Sequence, residues 1–288
     1  MSEAQKSKRE LKDVVDVFLS KSNSQEIGTI ATPTKIPLAE TQVITFFSPF
    51  NEEETFAFNA LFPYRFTGNF TRRFLATNPP DSKSLAFISR FYQLENLSYF
   101  HSAGKKVELS RNFFWIFWPE KRFFEEQSSG LHSEFVPEVK NSGSTLITLD
   151  LLHSNVTGFD HLIRLLDQMV LVIRPTMEDM KNAYKVIKAC YYINRQMETS
   201  VIFNAQMTQL EVEKIFSRFS EIVSEFLVLP VRCFGAASLD ITSKNIKEQV
   251  LSQLNFDSMF LLKGAKPKQK TLSLERMRFL HKLIPIME

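Results

Sequence analysis

The stretch "TLITLDLLHSNVTGFDHLIRLLDQMVLVIRPTMEDMKNAYKVIKACYYINRQMETSVIFN", Thr145–Asn204, decides the fold class. Three short apolar runs, residues 145–151, 169–173 and 200–204, read as buried strands. Two longer segments separate them, 158–167 and 177–195, with apolar residues at helical spacing. Strands joined by helices of this length predict βαβ units and a parallel sheet. A sheet covered on both faces explains why its strands are apolar throughout instead of alternating with polar residues.

The same rhythm extends outward. Residues 42–47 ("QVITFF"), 73–77 ("RFLAT"), 113–118 ("FFWIFW") and 226–231 ("FLVLPV") read as further strands, and 207–225 as another helix. The fold class expected is α/β: a doubly wound, mostly parallel sheet with helices on both faces, plus N- and C-terminal helical extensions. The expected boundaries are an amphipathic helix and linker over 1–40, the α/β domain over 41–256, and a basic linker with an amphipathic helix over 257–288. Leu11, Val14, Val15 and Phe18 mark the N-terminal helix, over 6–20. The polar segment 119–144 reads as a surface excursion.

Composition narrows the function classes. The 288 residues include 28 phenylalanines, most of which must be core, because that much aromatic surface would drive association. Cys190 and Cys233 are the only cysteines, which excludes a disulfide framework and suits a reducing, cytoplasmic setting. No window of 18 apolar residues predicts a membrane span, and the charged N-terminus has no signal-peptide core. Of the net charge of +3, the segment Leu262–Glu288 carries +5, so the remainder sums to −2. That balance argues against a general nucleic-acid surface and leaves a basic C-terminal tail.

Several motifs, in order, resemble the MinD/ParA-type ATPases, especially the FlhG/FleN flagellar-number branch. In "DQMVLVIRPTMEDMKNAYKVIK", Pro175, Ala183, Tyr184, Ile187 and Lys188 match, with Asn182 where the family has aspartate. "TLITLD" resembles the strand ending in the Walker B aspartate, placing Asp150 there. "SVIFNAQ" resembles the strand whose last asparagine, here Asn204, meets adenine in the family, and "FGAASLD" is similar in the spacing of Gly235 and Asp240. The resemblance covers roughly residues 40–255 and implies a MinD-like fold.

It also implies a phosphate-binding loop at "VITFFSPFNEEETFAFNAL", Val43–Leu61, and there the sequence departs from the family. Such a loop needs glycines to turn backbone N–H groups inward, lysines against the phosphates, and a hydroxyl for Mg²⁺. Between Ser48 and Thr55 there is no glycine and no lysine, while Glu52, Glu53 and Glu54 are consecutive. Thr55 falls near the magnesium-ligand position, Ser48 opens the turn, and Asn51 reads as a helix N-cap with the glutamates complementing the helix dipole. The strand 73–77 ends at Thr77 and Asn78, with only Asp81 beyond, where the family has aspartates; "LLHSNVTG" after Asp150 departs likewise.

The degenerate nucleotide positions are therefore Ser48, Asn51, Glu54, Thr55, Asp150 and Asn204, with no catalytic residue, no metal site and no cofactor expected. The function expected is a catalytically inactive pseudo-ATPase that positions other proteins, by resemblance in the placement or number control of flagella. The alternatives are a nucleotide-binding hydrolase with a rebuilt site and a TadZ/CpaE-like pilus or secretion localisation factor. By resemblance, the partners expected are a flagellar GTPase or basal-body component, without nucleic acid; any homodimer should be nucleotide-independent. The C-terminal residues Arg276, Met277, Arg278, Leu280, Lys282, Leu283 and Ile284 form a basic amphipathic pattern. It suits either peripheral contact with an anionic membrane or docking on the domain itself. His153 and Ser154 near Asp150 are weighed as a hydrolase site and set aside as a polar loop. Cys190 is read as packed, not reactive.

Overall fold

A computed structural model of the protein describes residues 41–65, 70–77, 82–94, 106–117, 145–151, 156–227 and 229–239. These residues form five helices and eight strands. They are β1 (Thr41–Phe47), α1 (Glu52–Arg65), β2 (Arg72–Thr77), α2 (Ser82–Tyr92), β3 (Lys106–Ser110), β4 (Phe113–Phe117) and β5 (Thr145–Leu149). Then follow α3 (Val156–Leu165), β6 (Gln168–Ile173), α4 (Met177–Ile193), β7 (Glu198–Phe203), α5 (Gln209–Leu227) and β8 (Val231–Ala236).

The strands form one sheet in the order β3-β4-β2-β5-β1-β6-β7-β8, parallel except for the edge strand β3. From β1 the chain moves to one side through α1, passing over the position of β5 to reach β2. From β5 it moves to the other side through α3 and reaches β6. Right-handed crossovers in opposite directions place helices on opposite faces, which makes the sheet doubly wound. The packing agrees. Ile44, Phe46, Val170 and Val172 bury against Phe58, Leu61 and Phe62 of α1. Val43, Ile147, Met169 and Leu171 bury on the other face with Leu162 of α3, Ile187 of α4 and Phe219 of α5. Successive residues of β1 and β6 thus serve opposite apolar layers, and this is why these strands read as unbroken apolar runs.

Much of the phenylalanine is indeed interior: Phe46, Phe58, Phe62, Phe74, Phe113, Phe203 and Phe219 are essentially inaccessible. Each such ring contributes roughly 1.5–3 kcal/mol relative to exposure. The Phe46 and Phe62 rings pack at a tilt of 39° with centroids 4.1 Å apart, fastening α1 to the central strand.

The structure corrects three readings. Phe226 and Leu227, read from sequence as the start of a strand over 226–231, are the last turn of α5. Leu227 continues the buried helical stripe of Phe219 and Val223, Phe226 lies exposed beside it, and the strand begins only after Pro230. The helix read over 207–225 starts at Gln209, because Thr208 caps it. The Thr208 N–H and hydroxyl both donate to Glu211 Oε2, at 2.8 and 2.9 Å, a capping box. Strand β3, absent from the sequence reading, forms the outer arm of a hairpin whose two-residue loop is Arg111–Asn112. Asn112 adopts φ 59°, a left-handed conformation that asparagine tolerates. Lys106, Glu108 and Ser110 give β3 polar alternation appropriate to an edge.

At the other edge, β8 carries one extra residue opposite β7, between the pairs Val201–Cys233 and Phe203–Ala236. Gly235 takes φ +96° in this bulge, which explains the glycine. Cys190 is fully buried on α4, and burial first, then the nearby Asp160, pushes its thiol from 9.0 up to about 12. The raised value stabilises the fold fully below pH 9.0, and that contribution is lost as pH rises from there toward 12. Cys190 is expected to stay unmodified by a thiol reagent at pH 8 under conditions that fully label the urea-unfolded chain, as read by peptide mass spectrometry.

The readings of a helix over 6–20, of the excursion 119–144, of Asp240, and of the C-terminal helix bearing Arg276 to Ile284 lie outside the described residues.

Candidate functional site

β1 and β5 are neighbours, but their chains leave toward opposite sides of the sheet. The crevice beyond their C-terminal ends is where open α/β sheets place ligands. Ser48 and Asp150 immediately follow the two strands.

The loop from Ser48 to Thr55 closes on itself. The Ser48 N–H donates to Thr55 Oγ1 at 2.7 Å. The Thr55 hydroxyl lies 3.3 Å from both the Ser48 and Asn51 carbonyl oxygens, to which it can donate in turn. Thr55 is wholly buried and Ser48 nearly so. Asn51 caps α1: its Oδ1 accepts the Glu54 N–H at 3.2 Å, while its carbonyl accepts the Thr55 N–H at 3.1 Å. Glu54, at the third helical position, turns back so that Oε2 accepts the Ser48 hydroxyl at 3.3 Å. Ser48, Asn51, Glu54 and Thr55, four of the six residues singled out from sequence, thus form one hydrogen-bonded cluster.

Tertiary structure supplies the cations that the local sequence lacks. Arg174, directly after β6, places a guanidinium nitrogen 3.9 Å from Glu54 Oε1, whose side chain is only 12% exposed. Lys83, at the start of α2, lies 2.8 Å from Glu53 Oε1. The second pair is open to solvent and is worth at most about 1 kcal/mol. The first is partly shielded on the Glu54 side. The three glutamates therefore do not stand as an uncompensated acidic block.

Asp150 is buried, and its N–H donates to the Ala76 carbonyl of β2 at 3.0 Å. Asn204 lies two strands from β1, at the end of β7. Its Oδ1 accepts the Leu239 N–H at 3.2 Å, so it tethers the segment after β8. Thr77, at the end of β2, accepts the Trp115 indole N–H at 2.9 Å and is buried in that pairing. Of the family-matching positions on α4, Ala183 and Ile187 are buried against the sheet, so they serve packing. Thr176 caps that helix by accepting the Asp179 N–H, and Asp179 Oδ2 accepts the Arg174 N–H at 3.1 Å. This last bond steadies the backbone that carries the Arg174 guanidinium.

Sequence reading missed Asn59, which supports the site from beneath. Strand β1 is paired with β5 only through Ile44–Thr148. Beyond that point, the Phe46 N–H donates to Asn59 Oδ1 at 2.9 Å, and Asn59 Nδ2 donates to the Phe46 carbonyl at 2.7 Å. The same Nδ2 reaches the Thr55 carbonyl at 2.9 Å. A side-chain amide thus stands in for a strand neighbour and ties β1 to α1 on either side of the loop. The Thr45 hydroxyl adds a 2.7 Å bond to the Leu149 carbonyl of β5. An asparagine amid "FAFNALF" was the available signal, since a polar residue in such a run must find buried partners.

Among the described residues, no group of three or more His, Cys, Asp or Glu side chains could hold a metal ion, and no helix is long and apolar enough to cross a membrane.

No family model matches the chain, and no curated protein matches it. Solved structures do. The chain is similar to a MinD cell division protein of Aquifex aeolicus, at 16% identity and a TM-score of 0.43, over 84% of this chain and 97% of that one. It is similar to a ParA family ATPase of Chlorobium tepidum, at 12% identity and 0.42, over 84% and 98%. A putative plasmid partition protein of Borrelia burgdorferi, bound to AMPPNP, aligns at 11% identity and 0.44, over 84% and 99%.

Proposed function

We propose that this chain is a pseudo-ATPase of the MinD/ParA type that acts by contacting and positioning other proteins without binding or hydrolysing ATP. One observation carries the reading: Ser48, Asn51, Glu54 and Thr55 of the loop at the end of β1 are bonded to one another. The Thr55 hydroxyl, the group nearest the expected magnesium-ligand position, is buried and bonded to main-chain atoms of Ser48 and Asn51. Glu54 holds its carboxylate against the Ser48 hydroxyl, where an approaching phosphate would meet negative charge. At a separation of 4 Å and an effective dielectric near 20, one such like-charge encounter taken alone costs about 4 kcal/mol, which the neighbouring Arg174 guanidinium offsets in part. Thr77, in place of a water- or metal-positioning carboxylate, is engaged by Trp115.

The sequence motifs favour a role in placing or counting flagella, through a flagellar GTPase or basal-body component. A deletion strain with normal flagellar number and position would remove that assignment while leaving the biochemical one intact. The biochemical assignment is tested by isothermal titration of the full chain with Mg-ATP and Mg-GTP at about 100 μM protein, a concentration suited to micromolar affinity. No saturable heat is expected with either. Saturable binding would overturn the proposal and make the rebuilt-site hydrolase the leading reading.

A further inference from the structure

The outer faces of α4 and α5 combine exposed apolar side chains with separated charges. Met177 of α4 and Ile222 and Phe226 of α5 remain 64%, 44% and 64% exposed, large values for such residues. The Phe226 ring meets Tyr184 edge-on at 6.2 Å, so the patch bridges the two helices. From Met180 onward, α4 carries Lys181, Lys185 and Lys188, all exposed, and no carboxylate. After Arg218, α5 carries Glu221 and Glu225, both exposed, and no cation. One helix face is therefore basic, its neighbour acidic, with an apolar seam between them.

We infer that this face is the docking surface for a second copy of the same chain, in an isologous dimer with α4 of each copy packed on α5 of the other. Electrostatics selects the arrangement. A two-fold axis in the interface perpendicular to the helices would lay α4 on α4, lysines against lysines, and α5 on α5, glutamates against glutamates. A two-fold axis running along the helices lays the basic face on the acidic one twice over, and buries both copies of Phe226 and Ile222 in the seam. The Tyr184–Phe226 contact brings the second turn of α4 alongside the last turn of α5. Along such an axis, height is conserved, so Lys181 and Lys185 of one copy lie level with Glu221 and Glu225 of the other. The surface lies on the opposite face of the sheet from α1, and the pairing proposed uses no residue of the loop at 48–55.

Sedimentation equilibrium of the full chain tests this. A species of twice 33.4 kDa is expected at micromolar concentration, weakening as salt is raised. Phe226→Asp should abolish it. Lys185→Glu and Glu225→Lys should each weaken association by about tenfold or more, with unchanged melting. Together in one chain they should restore association to within about threefold of the parent, because the reversed residue 185 of one copy then meets the reversed residue 225 of the other across the axis. Three results would overturn the proposal: a 33.4 kDa mass at every concentration up to about 100 μM, a dimer indifferent to the single reversals, or no recovery in the double variant.

Discussion

Asn59→Asp is expected to remove about 4 kcal/mol of stability at pH 8, a large part of what a domain of this kind possesses. The side chain is fully buried and nearly isosteric with the original, so the cost arises from the buried charge and the reversed hydrogen-bond polarity, not from packing. Asn59 Nδ2 donates to the carbonyls of Phe46 and Thr55; a carboxylate would set negative oxygen against both. Its remaining oxygen could still accept the Phe46 N–H. A protonated acid recovers one donor, so the folded state raises the pKa of the introduced carboxyl above its unfolded value near 4. A group raised in this way contributes stability below its unfolded pKa and loses it as pH climbs. The deficit relative to the parent should therefore be smaller at pH 5 than at pH 8 in urea unfolding. Asn59→Ala should cost about 2–4 kcal/mol with no such pH dependence. A cost below about 1 kcal/mol for the aspartate variant would mean that the amide does not complete β1.

Arg73→Ala is expected to cost a further large amount, about 3–5 kcal/mol, measured in the same way. Arg73 begins the apolar part of β2, yet it is 2% exposed. One guanidinium nitrogen donates to the Pro63 carbonyl in the last turn of α1 at 2.8 Å, and another to the Arg111 carbonyl of the β3–β4 hairpin loop at 2.6 Å. The charge lies against the negative end of the α1 dipole and over the Phe113 ring, 5.5 Å from its centroid. Truncation leaves the buried Pro63 carbonyl and the part-buried Arg111 carbonyl without their donor, and a void beneath the hairpin. Arg73→Met fills most of the volume, and should recover part of the loss but not the hydrogen bonds. If alanine and methionine cost the same, packing is irrelevant and the hydrogen bonds account for the whole effect.

Both residues illustrate what escaped the sequence. In "RFLAT" and "FAFNALF", Arg73 and Asn59 stand amid apolar residues that offer their side chains no partner. Whether a buried arginine or asparagine finds partners depends on carbonyls that lie 10 and 38 residues away in the chain for Arg73, and 4 and 13 away for Asn59. The candidate site shows the same division. The absence of glycine and lysine at 48–55 is a local fact, visible at once. The N-cap role of Asn51 was equally local, because a side chain and an amide three residues apart meet as soon as the helix forms. Lys83 and Arg174 were invisible as partners of the glutamates, since only the β1-β6 adjacency and the α1-α2 packing bring them there.

Periodicity also had a definite limit. It separated strands from helices wherever a segment was long or bounded by polar residues, as across Thr145–Asn204. It failed at "FLVLPV", where a buried helical stripe and a buried strand present the same apolar letters, and at "KVELS", where an edge strand is half polar.

By itself, then, the sequence determined the alternation of strands and helices, the apolar faces that make the sheet doubly covered, and the lack of phosphate-cradling residues after β1. These are properties of neighbours within a few residues, set by backbone geometry and side-chain spacing. Tertiary structure alone decided that Arg174 would face Glu54, that Asn59 would replace a strand neighbour of β1, and that lysines of α4 and glutamates of α5 would share one surface. Those outcomes rest on pairings between distant segments, and such pairings exist only once burial of the apolar faces has set the order of strands in the sheet.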